Sequence, residues 1–315
     1  MKKTKFALTL LMLASTLLWA LPVSAQTNFY NGAWIGTWPN QSLNNIAAYE
    51  QLIGGHQDVV HTFVNSNQGI NEWKGFMDYV NSNGSINLLT LEFKNKNYKE
   101  YSTVDINRGV VDAYLKQTAK QLMNWQAANK NPEIWLRLFH EGNGNWYGWG
   151  VGDSTVNTNE TYKAAFQRVV TIFKEQGATN IKFMYNVNAE NVGKNASFTA
   201  MYPGDAYVDM LSIDGYNFGT KESWSSWRTF NDVFYASYQA LTSMSSKPII
   251  IAETGTTESG GSKKEWVIDA MNQVQSPAYS QIKGLIWFNE NKELDWHIDS
   301  SADSLSAYQT LQKTL

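Results

Sequence analysis

Eight short runs rich in β-branched and aromatic residues recur along this chain, at 33–37, 58–64, 87–93, 134–139, 181–186, 208–213, 248–252 and 284–288. Longer stretches with helical apolar spacing lie between them, among them 106–128, 160–174, 226–244 and 263–273, and another at 301–312 closes the chain. Strands spaced by helices pair in parallel, because the helix carries the chain back to start the next strand in the same direction. Eight such units predict an α/β fold of the (β/α)8 TIM-barrel class. The competing architecture is an open doubly wound sheet, whose early strand would run into a glycine-rich phosphate loop. Here the first strand runs into Gly36-Thr37-Trp38-Pro39, which is no dinucleotide fingerprint.

The N-terminus reads differently. Lys2, Lys3 and Lys5 precede an apolar run from Phe6 through Leu21, and Val23-Ser24-Ala25 supplies small residues for cleavage. Residues 1–25 are therefore expected to be a secretory signal peptide, and 26–315 a single catalytic domain that is extracellular and holds no membrane once processed. No Pro/Thr/Ser linker, repeat or like-charge block marks a second domain, and a monomer is expected. The chain has no cysteine, which removes disulfides and thiol chemistry. Its net charge of -3 becomes more negative once the lysines of the leader are gone, so nucleic acid is not an expected partner. Aromatic residues make up 14% of the chain, with 13 Trp and 16 Tyr. Tryptophan beside Asn, Gly and Asp near strand ends suits a groove for a sugar polymer, since the rings offer rigid apolar faces with polar edges.

In a barrel the C-terminal strand ends and their loops form the active face. Those ends carry Thr37-Trp38, Glu92, His140-Glu141, Asn186 to Asn188, Asp214-Gly215-Tyr216, Glu253 and Trp287. Glu141 and Glu253 each end a hydrophobic run, on strands four and seven, and can converge across the mouth. One carboxyl held protonated and one ionised is what glycosidic cleavage requires. Spacing does not say which glutamate takes which role. A single strand-end glutamate could merely close a surface salt bridge; two among aromatics point to chemistry.

Alternation turns Glu141 toward the mouth and lets His140 and Arg137 approach a neighbouring side. His140 is expected to bond a sugar hydroxyl or a carboxylate. It is not expected to bind metal, because His140-Glu141 lacks the second histidine of HExxH and the other three histidines show no ligand spacing. Trp146, Tyr147 and Trp149 in the following loop are expected to stack on sugars, one of them packing beneath the loop instead. Trp287 is expected as the floor of the cleavage subsite and Tyr216 as a hydrogen-bond donor to Glu253. Glu92 or Asp214 would orient Arg137 or bind substrate. No cofactor is expected. The absence of a nucleophile elbow argues against an esterase. A noncatalytic carbohydrate-binding barrel would explain the aromatics but not the paired glutamates.

The segments WLRLFHEGNGNWYGWG, YPGDAYVDMLSIDGYN, KPIIIAETG and GLIWFN stand in an order that resembles glycoside hydrolase family 26, a family of retaining (β/α)8 glycosidases, across essentially all of 26–315. The resemblance implies Glu141 as acid/base and Glu253 as nucleophile, with Tyr216 and Trp287 at the family's strand-six tyrosine and strand-eight tryptophan. Gly142 and Gly148 depart from commoner forms, which often carry larger residues there. The substrate implied is a β-linked polysaccharide or oligosaccharide, cut internally. Endo-β-1,4-mannanase is the family's commonest activity and the expectation here. GNWYGWG and YPGDAYVD also resemble the mixed-linkage β-1,3-1,4-glucanase branch; β-1,3-xylanase is the third activity.

Overall fold

The computed structural model describes residues 29–36 and 43–313; the expected leader and Thr37-Trp38 lie outside them. All eight expected strands form: β1 (Tyr30–Trp34), β2 (Val59–Asn65), β3 (Ile86–Glu92), β4 (Ile134–Leu138), β5 (Ile181–Asn188), β6 (Met210–Asn217), β7 (Ile249–Thr256) and β8 (Ile282–Phe288). They pair in parallel in chain order, and β8 closes onto β1.

Around them run α1 (Leu43–Ile53), α2 (Ile70–Ser82), α3 (Thr103–Asn107), α4 (Asp112–Ala128), α5 (Asn159–Glu175), α6 (Phe230–Met244), α7 (Lys263–Val274) and α8 (Ala302–Gln312). The helix expected over 106–128 is two pieces, α3 and α4. Gly109 between them takes φ 85°, a left-handed turn that stops the first helix. The helix expected from 226 begins only at Phe230, where the Thr229 hydroxyl accepts from the Asp232 amide as an N-cap. The last helix is tied back to the first strand: Tyr308 Oη donates to Asn31 Oδ1 at 3.0 Å, and Asn31 Nδ2 donates to Gln312 Oε1 at 2.6 Å.

Along a strand every second side chain points into the barrel. Val59, Leu88, Trp135, Met184, Met210, Ile250 and Ile286, from β2 to β8, form one apolar interior cluster. Two residues further along β2 to β6 stand His61, Thr90, Arg137, Asn186 and Ser212, all fully buried. Beyond those, Phe63, Glu92, Asn188 and Phe288 reach an open cleft. The interior therefore changes from apolar plug to polar layer to cleft along the barrel axis. The opposite strand faces pack against the helices in a separate, larger core.

The plug leaves no room at β1. A Cβ on Gly32 would come within 2.5 Å of both the Val59 carbonyl oxygen and Ile286 Cδ1. Gly32→Ala should cost about 1–3 kcal/mol through overpacking. Urea unfolding checks this, with a lower midpoint expected; an unchanged midpoint would show that the plug relaxes around the added methyl.

Candidate active site

The end of β4 departs from regular alternation. Phe139 and Glu141 take φ of 48° and 51°, a left-handed conformation that side chains with a Cβ rarely adopt. Each peptide of the turn is held. Tyr162 Oη donates to the Phe139 carbonyl at 2.8 Å, Trp149 Nε1 to the His140 carbonyl at 2.8 Å, and the Glu141 amide to Asn186 Oδ1 at 2.7 Å. Phe139 thereby swings out to stack on Phe93 at 4.5 Å, while Glu141 faces the cleft. Gly142 is required here, because a Cβ would come 2.1 Å from the Tyr162 ring.

A second irregularity positions Glu253. The β6–β7 register pairs Ile213 with Ile251 but Asp214 with Glu253, so Ala252 is one extra residue in β7. Strict alternation from the inward Ile250 would point Glu253 at the helices. The bulge restores its inward direction, and Glu253 lines the cleft.

Arg137 holds the floor. Its Nε donates to Thr90 Oγ1 at 2.7 Å, Nη1 to Asp214 Oδ2 at 2.7 Å, and Nη2 to Glu253 Oε1. Nη2 also lies 3.2 Å from His61 Nε2. Burial and the Arg137 charge hold the His61 imidazole well below its usual range, so it is neutral and Nε2 accepts. The other Glu253 oxygen accepts from Tyr216 Oη at 2.7 Å. Asp214 continues the chain: its Oδ1 accepts from Asn186 Nδ2 at 2.9 Å, and Asn186 grips the Glu141 amide. One buried network thus joins both glutamates.

The two carboxyls have opposite surroundings. Glu253 is paired with a cation and a phenol. Among the described residues, the Glu141 carboxyl accepts only from Trp146 Nε1 at 2.7 Å and Asn188 Nδ2 at 3.2 Å. Burial first, and the negative charge of Glu253 second, push the Glu141 carboxyl up to about 7. Both open on a cleft of about 910 Å³, walled by Trp34, Phe63, Tyr147, Phe288 and Trp296 and edged by charged side chains such as Glu92, Glu290 and Lys292.

The structure brings Glu141, Glu253, Arg137, Tyr216 and Asp214 together. Arg137 reaches Thr90 on the neighbouring strand β3 as well as Asp214 and Glu253 across the interior. Glu92 lies in the cleft but does not orient Arg137; it pairs with Lys94 at 2.9 Å. Trp146, 45% exposed, sits at the cleft as expected. Three expectations are corrected. Trp149 is no sugar platform: it is fully buried, stacked under Tyr147 at 4.7 Å, with its N–H spent on the turn. Trp287 is not the cleft floor. Its ring faces outward against Trp266 and Tyr308, and alternation from Ile286 gives the inward place to Phe288. His140 does not reach the cleft surface; it lies behind Phe63, Tyr147 and Trp149, with neither ring nitrogen hydrogen-bonded among the described residues.

Residues that sequence reasoning passed over include His61, Thr90 and the wall Trp296, while Asn188 was named at a strand end without its role as a donor to Glu141. His61 and Phe63 share the parity of Val59 in VVHTFV, which was a readable signal. Trp296 had none: its ring meets Tyr216 at 4.9 Å only because the loop after β8 folds back, fixed by Trp287 Nε1 donating to the Trp296 carbonyl at 2.8 Å.

The family model described as glycosyl hydrolase family 26 matches residues 90–286. Endoglucanase H of Acetivibrio thermocellus is 46% identical over 280 residues; the match covers 88% of this chain but only 30% of that longer protein. A mannan endo-1,4-beta-mannosidase of Bacillus subtilis is 25% identical over 280 residues, covering 73% of this chain and 71% of the relative. Among solved structures, the catalytic domain of a Bacillus sp. JAMB-750 endo-beta-1,4-mannanase superposes with a TM-score of 0.68, covering 91% of this chain and 86% of that one. At its 18% identity the likeness is one of fold.

Removing the cation tests the network. Arg137→Met leaves Asp214 and Glu253 without their shared partner and should cost about 3–5 kcal/mol of stability, read by urea unfolding. A loss under about 1 kcal/mol, the range of an exposed pair, would mean that water reaches the site and screens it. Separately, Glu253→Gln removes a charge that raises Glu141, so the Glu141 carboxyl should titrate lower, as followed by carbon NMR of labelled glutamate.

Proposed function

This chain belongs to glycosyl hydrolase family 26, and we propose that it is a retaining endo-β-glucanase that cuts mixed-linkage β-1,3-1,4-glucan by double displacement. The observation that carries the mechanism is the contrast between the two carboxyls, one raised by burial and one gripped by Arg137 and Tyr216. Glu253 attacks the anomeric carbon while the bond to the leaving oxygen breaks and the Glu141 proton passes to that oxygen. This leaves a glycosyl ester on Glu253, a free chain end and a Glu141 carboxylate. Glu141 then takes a proton from water, whose oxygen displaces Glu253 from the sugar.

Two observations support glucan over the mannan that the family's commonest activity suggests. The 46% identical relative bears the name endoglucanase. In addition, His140, expected to bond a sugar hydroxyl such as the axial O2 of mannose, is buried behind aromatic rings. The second reading is endo-β-1,4-mannanase, favoured by the relative of that name at 25% identity. The residues proposed to grip the polymer are Trp34, Phe288 and Trp296 near the glutamates, and Trp224 at the outer edge. Trp224 is 71% exposed and leans on Phe218 at 5.0 Å. The segment from Lys2 to Ala25 is read as an export leader, and protein recovered from the medium should begin near Gln26; recovery only of the uncut chain from cells would reject this.

Barley β-glucan, lichenan, pure mannan and glucomannan form the decisive panel, with linkage analysis of products. Cleavage of mannan without mixed-linkage glucan would promote the mannanase reading. Proton NMR of the first-formed anomer should show retention. With Glu141 as acid, kcat/KM on polymer should hold below pH 7 and fall about tenfold per unit above it, because the proton to be donated is lost as pH rises through about 7. Glu141→Ala should spare substrates with activated leaving groups, whereas Glu253→Ala should turn over neither class.

A further inference from the structure

Trp146 stands at the cleft and invites the role of a stacking surface, but its nearest polar partner is the acid itself. The indole Nε1 donates to Glu141 Oε2 at 2.7 Å, and Asn188 Nδ2 donates to Oε1 at 3.2 Å. The Asn188 orientation is fixed, since its Oδ1 accepts from the Glu190 amide at 3.0 Å. An indole N–H can only donate. It therefore bonds the neutral carboxyl weakly and the carboxylate strongly, and the gain grows as the proton leaves.

The loop is shaped for this contact. Trp146 lies five residues beyond Glu141 and must fold back over the intervening turn. Gly144 makes the seat, because a Cβ there would come 2.5 Å from the indole Cζ2. The surrounding backbone is closed by Gly144 N to Glu141 O at 2.8 Å, Val151 N to Gly142 O at 2.9 Å and Gly152 N to Gly144 O at 3.0 Å. The acid and the donor thus belong to one hydrogen-bonded loop.

We propose that Trp146 is a positioning residue for Glu141: its indole N–H fixes the rotation of the carboxyl and stabilises the carboxylate left when the proton has passed to the leaving oxygen. This rests on the reading of Glu141 as general acid. The bond also opposes the upward push of burial on that carboxyl, so its loss makes Glu141 a weaker acid.

The test replaces Trp146 with phenylalanine, which keeps an aromatic ring, and with 3-benzothienylalanine, which keeps the indole outline but puts sulfur in place of the N–H. Each is assayed on barley β-glucan and on a 2,4-dinitrophenyl glycoside of a gluco-oligosaccharide, whose leaving group needs no proton. The expected result for both variants is a kcat loss on polymer about tenfold greater than on the activated substrate. The alkaline limb of kcat/KM should move up by about one pH unit. KM on polymer should change less than kcat in the benzothienyl variant. Equal losses on both substrates with a raised KM would show that Trp146 serves only as a sugar platform and would overturn the proposal, as would an unmoved pH limb. Glu141→Ala is the control. If it fails to spare the activated substrate, Glu141 is not the acid, and the functional reading falls together with the proposal; if it does spare it, an unchanged Trp146 ratio falls on the proposal alone.

Discussion

A guanidinium with no exposure to solvent lies at the centre of this barrel, and the site is arranged around the need to compensate it. Taking such a charge out of water costs several kcal/mol unless its donors are matched. Arg137 is matched by Thr90, Asp214, Glu253 and a neutral His61, each on a different strand. The negative charge of Glu253 in turn bears on Glu141, whose carboxyl it raises second to burial. The same cluster therefore anchors one glutamate and discourages ionisation of the other.

The polar cluster is sustainable because of what lies beneath it. The apolar plug of Val59, Leu88, Trp135, Met184, Met210, Ile250 and Ile286 seals the barrel below the ions. Above, aromatic walls narrow the approach of solvent. Charged groups between an apolar floor and a substrate-covered roof act on one another more strongly than in water. Binding of a polymer would close that roof.

Much of the fold was legible because its signal is local. Each strand is a short β-rich run, and the number and spacing of the runs decide the class. Helix α2 was equally readable, with Ile70, Trp73, Met77 and Val80 on one face, all buried, yet it is absent from the expected set. The two glutamates were legible as strand-end carboxylates. Which aromatics face the sugar was not. Trp287 and Phe288 are neighbours in sequence, and only the parity set by Ile286 says that the phenylalanine faces in. The same holds for Trp149, whose burial follows from a turn with two left-handed residues that composition does not announce. Side-chain direction at a strand end depends on backbone departures, and these are held by distant partners such as Tyr162 and Asn186.

The extra residue at Ala252 has a consequence for how such a site can be changed. Ala252 is small and buried, and it makes no side-chain hydrogen bond that could mark it as important. Its contribution is a count: it is the one residue by which β7 outruns β6, and because a bulge takes it up, Glu253 keeps the inward place opposite Asp214. Replacing residues one by one leaves that count untouched, so a substitution survey would grade position 252 by side-chain volume alone. A single-codon deletion of Ala252 would keep every other letter of the strand, pair Glu253 with Asp214 directly after Ile251 with Ile213 and leave the glutamate inward without a bulge, whereas a deletion or insertion that no bulge absorbs would turn it toward the helices. The reading frame of side chains along β7, rather than the identity of any one of them, is what this barrel has to preserve through insertion and deletion.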